Sequence, residues 1–215
     1  QDPSWPMSRL PLLGHLWRGR HVRPRSRLGK FRPLAVELVT ALVCGWTTYR
    51  FGLTPATAVL VSYFALFIHL AFVDLEHSRI PNLVILPAIP LVLALFPLSP
   101  LGQHWSLGEA YVRSFGGGGV GFGAMLLVYG VARGRLGAGD VKLAALLGVA
   151  LGFPHVISGL LLGFVLGGLA AVTLLALRVK GRGDTMPYGP ALIVGATAIL
   201  LGGTGISNWY FGLFH

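Results

Sequence analysis

The sequence predicts an all-α protein: a polytopic transmembrane helical bundle of about seven membrane spans, preceded by a basic cytoplasmic N-terminal segment. The 215 residues are 54% hydrophobic and only 11% charged, whereas a soluble domain carries about 25% charged residues. So few charged residues cannot cover a soluble globule, and apolar runs of membrane-spanning length recur along the chain. The third observation is that the basic residues lie at the edges of those runs.

The N-terminal segment, residues 1–33, holds eight of the 17 Lys and Arg residues and no long apolar run. We expect it to be cytoplasmic and to precede a transmembrane domain at 34–215. The formal net charge of +10 would suggest a nucleic-acid partner in a soluble protein. Here the basic residues are typical of topology signals beside membrane lipid, and no nucleic-acid partner is expected.

The spans follow in order, near residues 34–50, 53–73, 80–98, 116–133, 141–153, 155–177 and 187–207. A cytoplasmic N-terminus places 15 of the 17 basic residues inside and leaves only Arg50 and Arg113 outside, the bias that membrane topology favours. A glycine run, Gly116–Gly119, begins the fourth span. It indicates either close helix packing or a flexible start to that span.

Two aspartates stand out among the seven acidic residues, because each borders an apolar span. Asp74 ends the inward-running second span and Asp140 precedes the outward-running fifth, so the threading brings both to the cytoplasmic side. A carboxylate at such a depth indicates function by default. The plainer alternatives are that Asp74 pairs with Arg79 and that Asp140 is a helix N-cap.

The residues around these aspartates add to the functional interpretation. Gly137 and Gly139 precede Asp140 and leave room for another backbone to approach. Pro81 disfavours helix at Ile80 and starts the next span. A third landmark begins the last span, Pro187-Tyr188-Gly189-Pro190-Ala191-Leu192.

Together these landmarks resemble the type IV prepilin peptidases, aspartic membrane proteases of the GxGD class. The resemblance covers most of the chain. It rests on four stretches in the family's order: Arg32–Leu38, Asp74 with Ile80-Pro81-Asn82, Gly137-Ala138-Gly139-Asp140-Val141-Lys142-Leu143, and Pro187-Tyr188-Gly189-Pro190. The segment Ser8–His15 is similar to the family's cytoplasmic loop.

The resemblance implies an endopeptidase that removes the short basic leader of type IV prepilins or pseudopilins at the cytoplasmic face of the bacterial inner membrane. Asp74 and Asp140 would be the catalytic pair, which shares a proton and activates water. No metal or cofactor would be needed for proteolysis. The residues expected to bind substrate or shape the site are Ile80, Pro81, Asn82, Gly137, Gly139, Lys142, Pro187, Gly189 and Pro190.

The cysteine content departs from many bacterial members, which carry two Cys-x-x-Cys pairs in the cytoplasmic loop. The only cysteine here is Cys44, which lies inside an apolar run. The positions that correspond to the family's four loop cysteines look like Leu10, Leu13, His21 and Pro24. We therefore expect no zinc site there. Many members also methylate the new N-terminus, so S-adenosylmethionine would be a cofactor only if that second activity is retained.

Two other classes share some of these features. Presenilin-like intramembrane proteases also carry GxGD and a Pro-Ala-Leu element, present here as Pro190-Ala191-Leu192. The Asp74 motif and the small size favour the prepilin group. A proton-coupled transporter could also use membrane carboxylates, but both aspartates are expected on one side, with no relay across the bilayer.

Overall fold

The structure, a computed structural model, describes residues 28–77, 80–131, 137–177 and 188–202. The chain divides into two units, Gln1–Leu38 and Val39–His215, and the second unit contains both aspartates. Because residues 1–27 lie outside the described part, the basic segment and its boundary near residue 33 stay predictions.

Seven α-helices make up the described part of the chain, which contains no strand, and the predicted helical class is confirmed. Three of them, α2, α4 and α6, are long and apolar enough to cross a membrane. The count of seven spans stays a prediction. The helices are α1 (Leu28–Phe51), α2 (Pro55–His77), α3 (Asn82–Leu95), α4 (Leu107–Val131), α5 (Ala138–Leu151), α6 (His155–Ala176) and α7 (Gly189–Gly202), with a 3₁₀ turn at Phe96–Leu98 after α3.

Large aromatic and branched side chains fill the core between these helices. Tyr63, Phe64 and Phe67 of α2 are fully buried, as are Leu143, Leu146 and Leu147 of α5. Helix α2 packs against α7, α3 packs against α5, and α5 packs against α7. This pairing brings the end of α2 and the beginnings of α3, α5 and α7 to one end of the bundle.

At the end of α3 the hydrogen-bond pattern changes, and a side chain from α2 donates to the carbonyl oxygen that loses its helical partner. The N–H of Phe96 donates to the carbonyl oxygen of Leu93 as the chain tightens into the 3₁₀ turn. The carbonyl oxygen of Val92 therefore accepts from the buried Tyr63 hydroxyl instead, at 2.8 Å. A backbone carbonyl in an apolar core must find a donor, so this bond fixes α3 against α2.

Glycines let α4 and α5 approach closely. A Cβ atom added at Gly117 would collide with the carbonyl oxygen of Gly148, and one at Gly121 with that of Ala144. The hydroxyl of Ser114, one turn before Gly117, donates to the carbonyl oxygen of Val149 at 2.7 Å. The prediction that the fourth span starts near 116 was wrong, since α4 begins at Leu107. The glycine run lies inside the helix, which supports close packing over a flexible start.

Replacing Gly117 with alanine should destabilise the protein by about 1–3 kcal/mol, because the new methyl group overlaps the α5 backbone. Gly116→Ala is the matched control, since a Cβ there meets nothing within 4 Å among the described residues. Thermal denaturation of the detergent-solubilised protein measures both. Equal midpoints for the two variants would contradict this packing.

Candidate active site

Asp74 lies near the end of α2 and is only 4% exposed. The backbone N–H of Gly189, the first residue of α7, donates to its Oδ2 at 3.2 Å. A Cβ at residue 189 would stand 2.5 Å from that oxygen, so only glycine lets the α7 backbone come this close. The bond joins residues 115 positions apart. The alternative partner, Arg79, lies outside the described residues.

Asp140 lies in the first turn of α5 and is 5% exposed. Its Oδ2 accepts the N–H of Gly137 at 3.2 Å, and its own N–H donates to the carbonyl oxygen of Gly137 at 3.0 Å. The N-cap is therefore Gly137, and Asp140 occupies the third helical position. The N-cap interpretation of Asp140 was wrong, because its carboxylate reaches back to the residue that caps the helix.

Leu143 links the two aspartates through packing. A Cβ at Gly189 would meet the Cδ2 atom of Leu143 at 3.1 Å as well as the Asp74 carboxylate. Leu143 follows Asp140 by three residues and shares its side of α5. Asp74 and Asp140 are thus both buried at the end of the bundle where α2, α5 and α7 meet.

The Asp140 carboxyl has an altered pKa, and it lies outside the three described helices that are both long and apolar enough to cross a membrane. Burial raises its pKa to about 6, and the nearby charge of Asp74 acts in the same direction, while the hydrogen bond from Gly137 opposes the rise. The charge of one carboxylate disfavours ionisation of the other, so the pair keeps a proton up to a higher pH than an ordinary aspartate does.

Ile80, two residues before α3, closes one side of the site. Ile80 is buried, and its backbone N would stand 3.4 Å from a Cβ at Gly139. Ile80 of this same chain therefore occupies the room left by Gly139. Pro81 is the N-cap of α3. The next residue, Asn82, accepts a hydrogen bond from the Lys142 ammonium at 2.7 Å, which ties α3 to α5 beside Asp140.

The two remaining prolines predicted to shape the site make no contact described above. Pro190 is half-buried in the first turn of α7, and Pro187 lies outside the described residues. Sequence reasoning missed Leu143 and Tyr188 as parts of the site. Tyr188 was visible inside the landmark that begins the last span, but nothing in the sequence indicates which helix its ring contacts.

An apolar groove of about 300 Å³ lies between α2 and α3, lined by residues such as Leu66, Val84, Pro87 and Leu91. Tyr63 supplies its titratable group, and its hydroxyl already donates to Val92. No carboxylate is among the described residues that line this groove. The two buried carboxylates lie instead at the end of the bundle where α2, α5 and α7 meet.

Replacing Asp140 with asparagine should stabilise the protein at pH 7.5. A folded-state pKa of about 6 means that protonated Asp140 favours folding and that this contribution is lost as the pH rises through 6. The gain for Asp140→Asn should be on the order of 2 kcal/mol at pH 7.5 and vanish near pH 4. Thermal denaturation across this range measures it, with Glu37→Gln, a change of an exposed carboxyl on α1, as control. A gain that does not change with pH would contradict the shifted pKa.

The sequence matches the type IV leader peptidase family over residues 61–172, just over half of the chain. It is 29% identical over 212 residues to the prepilin leader peptidase/N-methyltransferase of Pseudomonas aeruginosa, covering 95% of this chain and 70% of the relative. The protein of that name from Aeromonas hydrophila is 32% identical over 217 residues, covering 99% of this chain and 72% of the relative.

A third relative with that name, from Bacillus subtilis, is 27% identical over 206 residues, covering 95% of this chain and 80% of the relative. No solved structure matches the chain at a significant level. The helical structure, the family match and relatives that span nearly the whole chain lead to one conclusion: this protein is a membrane peptidase of the type IV leader peptidase family.

Proposed function

We propose that this protein is an aspartic endopeptidase that removes the leader from type IV prepilins or pseudopilins. The observation that carries the proposal is the pair of buried carboxylates, Asp74 and Asp140, at one end of the bundle, with the charge of one acting on the other. The names of the relatives supply the substrate class.

The chemistry uses one carboxylate as base and one carboxylic acid as proton donor. The base takes a proton from water, and the water oxygen attacks the scissile carbonyl carbon. The acid donates a hydrogen bond to the carbonyl oxygen, and the leaving amine takes up a proton when the C–N bond breaks. The pair titrates as a unit, so neither aspartate is assigned the proton in the resting state.

A proton shared by Asp74 and Asp140 suits this role because it keeps one acid and one base in the site over a pH range in which isolated aspartates are both ionised. The glycine N–H that each carboxylate accepts fixes its orientation without adding a cation that would hold both carboxyls ionised. Proteolysis by this route requires no metal and no cofactor.

The leader would be cut at the cytoplasmic face of the bacterial inner membrane. The support is the distribution of basic residues, which favours a cytoplasmic position for the end of the second span and the start of the fifth. A transporter or a presenilin-like protease is not favoured, because the match to leader peptidases extends over most of the chain.

Asp74→Asn and Asp140→Asn should each lower prepilin cleavage by at least about 10³-fold, because an amide can neither take nor give the proton. The assay follows leader removal from a purified prepilin by gel shift, with the level of membrane-inserted enzyme measured in parallel. Glu109→Gln, which changes an exposed carboxyl on α4, is the matched control. Normal cleavage by either aspartate variant would refute the assignment.

A second activity, N-methylation of the newly exposed N-terminus, is suggested by the names of the relatives. The loop positions that carry cysteine in many bacterial members have none in this sequence. We therefore treat methylation as separable from cleavage.

Cleavage should proceed at the same rate with and without S-adenosylmethionine, and in the presence of a metal chelator, because water and two carboxyls suffice for hydrolysis. Mass spectrometry of the product reports both reactions. An added mass of one methyl group only when S-adenosylmethionine is present would establish the second activity. Cleavage that stops on chelation would contradict the proposed mechanism.

A further inference from the structure

Tyr188 stands directly ahead of α7, next to the residue that contacts Asp74. Its carbonyl oxygen accepts the N–H of Leu192 at 3.2 Å, an early hydrogen bond of α7. The following residue, Gly189, donates its N–H to the Asp74 carboxylate. The position of Tyr188 therefore sets the position of that N–H.

The Tyr188 side chain is anchored on α6 rather than on its own helix. Its hydroxyl donates to the carbonyl oxygen of Phe164 at 3.2 Å, and the two rings lie 6.0 Å apart between centroids. The ring lies against the bare backbone of Gly167, where an added Cβ would meet its Cζ at 2.6 Å, its Cε1 at 2.9 Å and its hydroxyl oxygen at 3.0 Å. Only a glycine at 167 leaves room for the ring in this place.

We propose that Tyr188 is a positioning residue for Asp74, acting through the N–H of Gly189, with its ring seated on Gly167 of α6. The inference deepens the proposed function and rests on it, since it gives Asp74 a catalytic role. The N–H of Gly189 lies 3.2 Å from Oδ2 of Asp74, at the long end of the hydrogen-bond range. A shift of α7 by about 1 Å would break the hydrogen bond or force the carboxylate aside.

A purely structural role for Tyr188 makes a different prediction. If Tyr188 only packs against α6, loss of this contact should lower the stability of the protein and leave the kcat of the folded enzyme unchanged. If Tyr188 positions Asp74, loss of this contact should slow the chemical step, because a misplacement of about 1 Å costs on the order of 10²-fold in rate. Substrate binding is not expected to depend on this contact, so the loss should appear in kcat and leave KM unchanged.

Gly167→Ala tests this against Gly168→Ala, its neighbour on α6. Both changes bring the same gain in helix propensity, but a Cβ at 168 meets nothing within 4 Å among the described residues. In the complete membrane enzyme with a purified prepilin, Gly167→Ala should lower kcat by about 10- to 100-fold at unchanged KM. Gly168→Ala should match the wild type. Equal kcat values for the two variants would overturn the proposal.

A double-mutant cycle checks the route of the effect. Tyr188→Leu removes the ring that the Gly167→Ala methyl group would strike, so in that background Gly167→Ala should cause no further loss of kcat. A loss from Gly167→Ala that is equally large in both backgrounds would place its effect elsewhere and overturn the role of Tyr188. If Gly167→Ala yields no folded enzyme, Tyr188→Phe carries the test. A reduced kcat at an unchanged thermal midpoint then supports positioning, and an unchanged kcat overturns it.

The outcome is distinguishable from failure of the proposed function. If Asp74→Asn abolishes cleavage while Gly167→Ala behaves like Gly168→Ala, the aspartate mechanism stands and the role of Tyr188 falls. If Asp74→Asn cleaves normally, the proposed function itself is wrong.

Discussion

The burial of two carboxylates at one end of a helical bundle is the constraint on which the rest of this structure depends. An aspartate without water is tolerated only where hydrogen bonds or a shared proton compensate for the lost solvent. Asp74 and Asp140 each accept one N–H from a glycine that begins a helix or caps it. The positive ends of α5 and α7 therefore face the two carboxylates, and both helices must start at the site.

Convergence of those helix ends requires the helices behind them to pack closely. Apolar side chains in a membrane gain little from association with one another, so small residues and short contacts set the arrangement. Gly117 and Gly121 let α4 reach the backbone of α5. On the other side of the bundle, Gly195 of α7 faces Gly159 and Gly163 of α6 just as closely. Each contact fixes the helix that delivers one N–H to the site.

The site also combines rigid and accessible parts in a way that suits peptide hydrolysis. The carboxylates are nearly inaccessible, whereas Gly137, Pro81 and Asn82 beside them are exposed. A substrate can approach along this exposed rim, and burial keeps bulk solvent away from the carboxylates apart from the water that the reaction consumes. Exclusion of bulk water strengthens the electrostatic interaction between the two carboxyls. The hydrogen bond from Lys142 to Asn82 keeps the rim in place without directing a cation at the carboxylates.

The sequence by itself determined the helical class, the approximate position of each helix and the two aspartates, because low charge, apolar runs and isolated acidic residues are properties of local composition. It also indicated the glycines, since a glycine beside an acid or within an apolar run signals close approach. It misplaced the start of α4 at 116, because the residues from Leu107 onward are polar enough to resemble a loop and yet continue the helix.

Only the tertiary structure decided which residue packs against each glycine. The contacts of Gly189 with Asp74, Gly139 with Ile80 and Gly167 with Tyr188 join residues far apart in the chain or on different helices. These contacts depend on the rotation and depth of each helix, which the packing of all the helices fixes together. Local composition sets where a helix forms. Only the packing between helices sets the donor–acceptor distance to within the few tenths of an ångström that a hydrogen bond to a carboxylate requires.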